Sequence, residues 1–236
     1  MMNTYLLIHG AFRGAWLWER LMPLLLKGGA SPIAIDLPGH GDRAADRIGI
    51  TMSTYIDDVA DFIHKENLKD LVLVGHSMSG IIISKIAETM PERVKHLVYL
   101  AAVVPRNNEA LIDLLTKERE VALRQQYGKV HELFGTLEQL RQMYFTDMEG
   151  EEKEYFVRQL TPQPLAVFFE RIPFSRFPDI DTPRTYLMGM KDKSLPPLLS
   201  AGFAVRLKVE PVKIDAGHDM MVSRPEEVAE VLLRIV

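Results

Sequence analysis

The sequence predicts an α/β fold in which a mostly parallel sheet of six or more strands is flanked by helices. Short continuous apolar runs bounded by turn-forming residues recur along the chain, and stretches with apolar residues at helical spacing separate most of them. Such alternation needs a crossover between successive strands, which makes the strands parallel and covers both sheet faces with helices. A further observation sets the outline: one gap between strands is far too long for a simple connection and must hold an insertion.

The apolar run at 5–8 starts the sheet, and a helical pattern over 16–27 follows it. Residues 33–35 form the second strand and 52–66 the second helix. The third strand, 71–74 within "LVLVGHSMSGIIISKIA", leads into a helix over 79–90, where Ile81, Ile82, Ile86 and Ala87 recur at helical spacing before Pro91. The remaining strands are 97–104, 186–190 and 212–214, and the last helix spans 225–235. Between the fourth and fifth strands lie about 80 residues, with helical patterns at 111–127, 136–145 and 151–160, then "TPQPLAVFFERIPFSRFP". We divide the chain into an α/β core, 1–105 and 181–236, and a helical lid, 106–180. An insertion at the carboxyl ends of the strands lies over the crevice where open α/β sheets bind ligands. A helical decoration packed away from that crevice is the alternative. Phe134, Tyr144, Phe145, Phe168, Phe169 and Phe174 of the lid are available either to line a pocket or to form the lid's own core.

With 236 residues and 47% hydrophobic content, the chain can bury the core of one large domain with an insertion. A net charge of −4 without clustered Lys and Arg argues against nucleic acid and against an anionic membrane surface as partners. The absence of cysteine excludes thiolate nucleophiles, disulfides and thiolate zinc sites, and it fits a reducing interior. "MMNTYLLIHG" lacks a basic start and a processing site, and no run reaches the roughly 18 apolar residues of a spanning helix. The expectation is a soluble, cytoplasmic protein, with no signal for its oligomeric state.

The sharp turn from strand to helix at Gly75-His76-Ser77-Met78-Ser79-Gly80 would lift one hydroxyl above the sheet and aim the following N–H groups at the same spot, as in a nucleophile elbow. The pattern usually carries glycine where Ser79 stands, and a serine that merely caps the helix is the competing reading. A serine hydroxyl needs a base to take its proton. His218 in "VKIDAGHDMM" follows the last strand by a short loop, and of the seven histidines it is the one that also follows the acid candidate in the chain order Ser, Asp, His. His9 and His40 lie in Gly-containing loops, His76 is inside the elbow, and His64, His96 and His131 read as surface or partly buried positions. No histidine pair has helical metal-ligand spacing, so neither a metal nor another cofactor is implied. For the carboxylate that orients the base, Asp192 sits just past a strand in "TYLMGMKDKSLPPL". Asp36, Asp179, Asp181, Asp215 and Asp219 compete; Asp36 reads as ordering its own loop, Asp215 is too close to His218, and Asp219 reads as solvated. Ala11, in the glycine-flanked "IHGAFRGAW", and Met78 are the candidate backbone donors to an oxyanion.

"IHGAFRGAWLWERLMPLL", "IAIDLPGHG", "LVLVGHSMSG", "MKDKSLPP" and "DAGHDMM" together resemble the α/β-hydrolase superfamily over nearly the whole chain outside the lid. The likeness is strongest to the branch of plant methylesterases, salicylate-binding esterases and hydroxynitrile lyases, with similar bacterial carboxylesterases. It implies a cofactor-free serine carboxylesterase acting on a small, largely apolar ester. The lyases of this branch carry threonine where Gly10 stands and lysine where Asp219 stands; an aspartate there would repel departing cyanide, which favours hydrolysis. A small-molecule sensor with slow turnover, or lyase or C–C hydrolase chemistry on the same residues, are the alternatives.

Overall fold

A computed structural model describes residues 3–44, 47–177 and 179–235. Met1, Met2, Ala45, Asp46, Pro178 and Val236, which fall inside the ranges drawn from the sequence, lie outside the described residues. Strands β1 (Thr4–Ile8), β2 (Ser31–Ile35), β3 (Leu71–His76), β4 (Val94–Leu100), β5 (Arg184–Gly189) and β6 (Val212–Ile214) form one parallel sheet in the order β2-β1-β3-β4-β5-β6. β3 is buried along its whole length, which is why it reads as an unbroken apolar run. Pro32 is confined to β2, an edge strand, where one side of the backbone needs no ladder partner. The strand order reverses between β1 and β3, and the crevice that opens there lies at their carboxyl ends.

The core helices are α1 (Leu21–Lys27), α2 (Met52–Lys65) and α3 (Ser79–Thr89). Thr51 caps α2 by accepting the Thr54 N–H, and Met52, Tyr55, Ile56, Val59 and Ile63 form its buried stripe. Between β4 and β5 lie α4 (Lys117–Gln126), α5 (Leu137–Met143) and α6 (Gly150–Gln159), together with a two-residue antiparallel pairing of 132–133 with 163–164. After β5 come α7 (Pro197–Leu207), α8 (Met220–Ser223) and α9 (Pro225–Arg234). Among the described residues no helix is long and apolar enough to cross a membrane.

Several boundaries differ from the sequence reading for identifiable reasons. The fourth strand stops at Leu100 rather than 104, because Ala101 turns with φ +44° and Val103 donates its N–H to the Ser77 carbonyl at 3.0 Å. Residues 101–104 are apolar because they form a buried loop. The pattern at 16–27 splits into a 3₁₀ turn, Ala15–Trp18, and α1, with Pro23 in the first helical turn where a missing N–H is harmless. The pattern at 111–127 likewise divides into a 3₁₀ turn, Leu111–Leu114, and α4. Helices α7 and α8 were not anticipated; Pro197 at the first position of α7 is the signal that marks it.

The elbow helix lies unusually close to the sheet. A Cβ placed on Gly80 would stand 1.9 Å from the Val103 carbonyl oxygen, and one on Gly75 would stand 2.8 Å from the Ser79 carbonyl oxygen. Gly202, inside α7, has open space around it. Gly80→Ala should therefore cost about 3 kcal/mol or more, whereas Gly202→Ala should gain about 0.5–1 kcal/mol from helix propensity. Urea unfolding of the two variants beside wild type measures both; similar values would show that α3 can move away from β4.

Candidate active site

The site begins with a backbone constraint. Ser77 has φ +55°, a left-handed conformation that a non-glycine residue holds only when its surroundings over-determine it. Its N–H reaches the Leu100 carbonyl at 3.3 Å, and its own carbonyl accepts the Gly80 N–H at 3.3 Å and the Val103 N–H at 3.0 Å. The turn leaves Oγ partly exposed at the top of the sheet, 2.9 Å from His218 Nε2.

The three side chains singled out from the sequence are brought together from three loops. His218 follows β6, and its Nδ1 is 2.7 Å from Asp192 Oδ2, beyond β5. Asp192 is fixed in turn: its Oδ1 accepts the N–H of Ser194 at 2.6 Å and of Leu195 at 2.8 Å. With Nδ1–H donating to the carboxylate, Nε2 is left as the acceptor that faces the Ser77 hydroxyl. Of the competing aspartates, Asp36, Asp179 and Asp215 stand elsewhere. Asp36 accepts the N–H of Ala15 and of Asp42, Asp215 pairs with Lys191 at the surface, and Asp179 pairs with Lys208.

Ala11 and Met78 border the same cavity as Ser77 and His218. Among the described residues neither of their N–H groups has a protein acceptor. The loop carrying Ala11 is held from the insertion: the Phe12 N–H donates to Gln163 Oε1 at 3.1 Å, and the Phe12 carbonyl accepts the Thr161 N–H at 2.9 Å. Gln163 Nε2 continues to the Tyr55 hydroxyl at 3.1 Å, which is 2.9 Å from His40 Nε2, while His40 Nδ1 is 3.1 Å from Thr161 Oγ1. The sequence reading missed Gln163. Its one signal is an amide set between two prolines in an otherwise apolar stretch.

The cavity over Ser77 has a volume of about 440 Å³ and is lined mainly by apolar side chains, many from the insertion. Of the aromatics named from the sequence, Phe134, Tyr144 and Phe168 line it. Phe145 instead packs on Trp16 and Phe156, Phe169 on Tyr127, and Phe174 on Phe177. Among the described residues no group of three or more His, Asp or Glu is placed to hold a metal ion.

Asp219 is not solvated, contrary to the sequence reading. It is 1% exposed and takes a two-pronged contact from Arg13, Nε to Oδ1 and Nη2 to Oδ2, each 2.8 Å. Arg13 Nη1 also donates to the Ala11 carbonyl at 2.7 Å, and the guanidinium lies 4.1 Å from the centre of the Tyr144 ring. His76 completes the group. Its Nε2–H donates to the His218 carbonyl at 3.1 Å, and burial, then the charges of His218 and Arg13, push its pKa well below the usual histidine value. Burial likewise pushes His9 down to about 4, and burial and the neighbouring His9 hold His40 down to about 2.

These charges give two expectations. Arg13→Met leaves a buried carboxylate beside the His218 loop without its partner and should cost about 3–5 kcal/mol, most of it regained when Asp219→Leu is added. A loss under about 1 kcal/mol in urea unfolding, the size for an exposed pair, would contradict the description. Three histidines whose folded pKa lies below the unfolded value keep their stabilising effect above about pH 6.5 and lose it as the pH falls, His9 toward about 4 and His40 toward about 2. Each contributes a slope of up to about 1.4 kcal/mol per pH unit, so unfolding free energy measured in urea at about pH 7.5 and about pH 5 should drop steeply; a flat profile would show that the folded protein accepts these protons.

Known proteins resemble the chain over nearly its whole length. The α/β hydrolase family profile matches residues 5–231. The carbendazim hydrolyzing esterase of Nocardioides sp. (strain SG-4G) is 29% identical over 98% of both chains, and polyneuridine aldehyde esterase of Rauvolfia serpentina is 27% identical over 98% of this chain and 94% of its own. Among solved structures, an extracellular α/β-hydrolase from a Paenibacillus species superposes with a TM-score of 0.90 over 99% of this chain and 98% of its own, at 22% identity. From the elbow, the sheet order and the family match across nearly its whole length, the chain belongs to the α/β hydrolase family.

Proposed function

We propose that this α/β hydrolase is a serine carboxylesterase acting on a small, largely apolar ester. It is a carboxylic ester hydrolase by kinship, since the relatives matching it over nearly its full length are named as esterases. The observation that carries the mechanism is the unbroken hydrogen-bonded series from Ser77 Oγ through His218 to Asp192, opening into an apolar cavity. Ser77 Oγ attacks the ester carbonyl while His218 Nε2 takes its proton, and the N–H groups of Ala11 and Met78 stabilise the oxyanion. The imidazolium, oriented by Asp192, returns that proton to the departing alcohol. Water then attacks the acyl-enzyme with His218 again as base, releasing the acid and regenerating Ser77.

Residues 106–180 serve in this reading as the lid that excludes water and shapes the acyl pocket. Hydrolysis is favoured over cyanohydrin cleavage by Gly10: any Cβ there would lie 2.7 Å from Ser77 Cβ, so threonine does not fit this arrangement. The charge of Asp219 is no longer an argument, because Arg13 neutralises it. Wild type should hydrolyse p-nitrophenyl butyrate and Ser77→Ala should not, while Asp192→Asn should lose about four orders of magnitude in kcat. Equal initial rates for wild type and Ser77→Ala would end the proposal.

A further inference from the structure

Two arginines line the cavity, and they are held in the same way but used differently. Arg13 donates Nη1 to a backbone carbonyl and offers its Nε/Nη2 edge to the Asp219 carboxylate. Arg119, on α4, donates Nη1 to the Ser194 carbonyl at 3.0 Å and to the Ser194 hydroxyl at 3.2 Å. Among the described residues its Nε and Nη2 meet no protein acceptor, and no carboxylate pairs with it. That edge is the one that receives a planar anion with two parallel hydrogen bonds.

The helix itself singles Arg119 out. Arg119, Ala122, Leu123 and Gln126 line the cavity and recur at the spacing of one helical face. Arg119 is the charged member of that face. The other cations of α4 are matched: Lys117 with Glu120 at 2.7 Å, and Arg124 with Glu120 at 2.9 Å and with Asp113 at 3.6 Å. Arg119 is half-buried, so its open edge works in surroundings where a charge-assisted contact is stronger than in water. The loop beside it, 190–196, supplies no counter-charge, since its one carboxylate, Asp192, is already engaged by Ser194, Leu195 and His218.

We infer that Arg119 is a specificity-determining residue that receives a carboxylate on the substrate, remote from the scissile bond. The inference rests on the esterase reading and narrows it: the preferred esters are apolar along their length and anionic at one end, such as monoesters of dicarboxylic acids. The apolar lining takes the methylene chain, and the guanidinium takes the terminal charge.

The test compares monomethyl esters of dicarboxylic acids, from succinic to suberic, with methyl esters of the monoacids of equal length. A second arm sets ω-acetoxyalkanoates against alkyl acetates, to learn whether the charge belongs on the acyl or the alcohol side. In at least one arm wild type should show a higher kcat/KM for the anionic member. Arg119→Met should reduce that anionic-to-neutral ratio about tenfold to hundredfold, the range for a two-pronged charged contact. If Arg119 only ties α4 to the Ser194 loop, both members of each pair fall together and the ratio stays constant, which overturns the inference. Absence of any anionic preference in wild type overturns it as well. Ser77→Ala, run on the same esters, separates the two readings: its loss of turnover upholds the esterase reading whatever the Arg119 ratio shows.

Discussion

The closeness of α3 to the end of β4 is the constraint on which the site depends. Gly80 lies against the Val103 carbonyl with no room for a methyl group, and that contact lets residues 77, 100 and 103 exchange backbone hydrogen bonds. Those bonds hold Ser77 in a conformation its side chain disfavours. The strained turn sends Oγ upward and the Met78 N–H toward the same cavity, so the positions of the proposed nucleophile and of one proposed oxyanion donor follow from a single packing contact. Ser79 tolerates its place because its hydroxyl finds the His9 carbonyl.

Much of this was legible in the sequence because parallel strands and elbows have strong local signatures. The run at 71–74 reads as a doubly covered strand, and the helical spacing after it calls for a sharp turn between them. Ser77, Asp192 and His218 each stand just past a strand, a position that chain order and turn chemistry reveal without knowledge of the fold's interior. What stayed hidden depends on long-range contacts. Asp219 reads as a surface residue until Arg13, two hundred residues away in the chain, is seen beside it. Gln163, Thr161 and Asp147 have no periodicity to mark them, because their partners are groups far away in the chain. Apolar composition misled at 101–104, where burial without a ladder looks the same as burial within one.

The fully buried groups around the proposed base carry little net charge. His9, His40 and His76 are all buried and held neutral, and the Arg13 and Asp219 charges cancel each other beside His218. His218 is therefore flanked by one uncompensated partner, Asp192, whose second oxygen is committed to two backbone N–H groups. A developing imidazolium would meet the Asp192 carboxylate on its Nδ1 side, while the nearby Arg13 cation is already paired with Asp219.

The insertion holds three of the loops that build the site. Gln163 and Thr161 hold the Ala11–Phe12 loop, Arg119 holds the Ser194 loop behind Asp192, and Asp147 accepts the Gly217 N–H beside His218 at 2.8 Å. Access to the cavity and alignment of the proposed reacting groups thus depend on the same hydrogen bonds. Under the proposed lid reading, a swing wide enough to let bulk solvent in would also release those struts, leaving the gaping state idle and the sealed one competent.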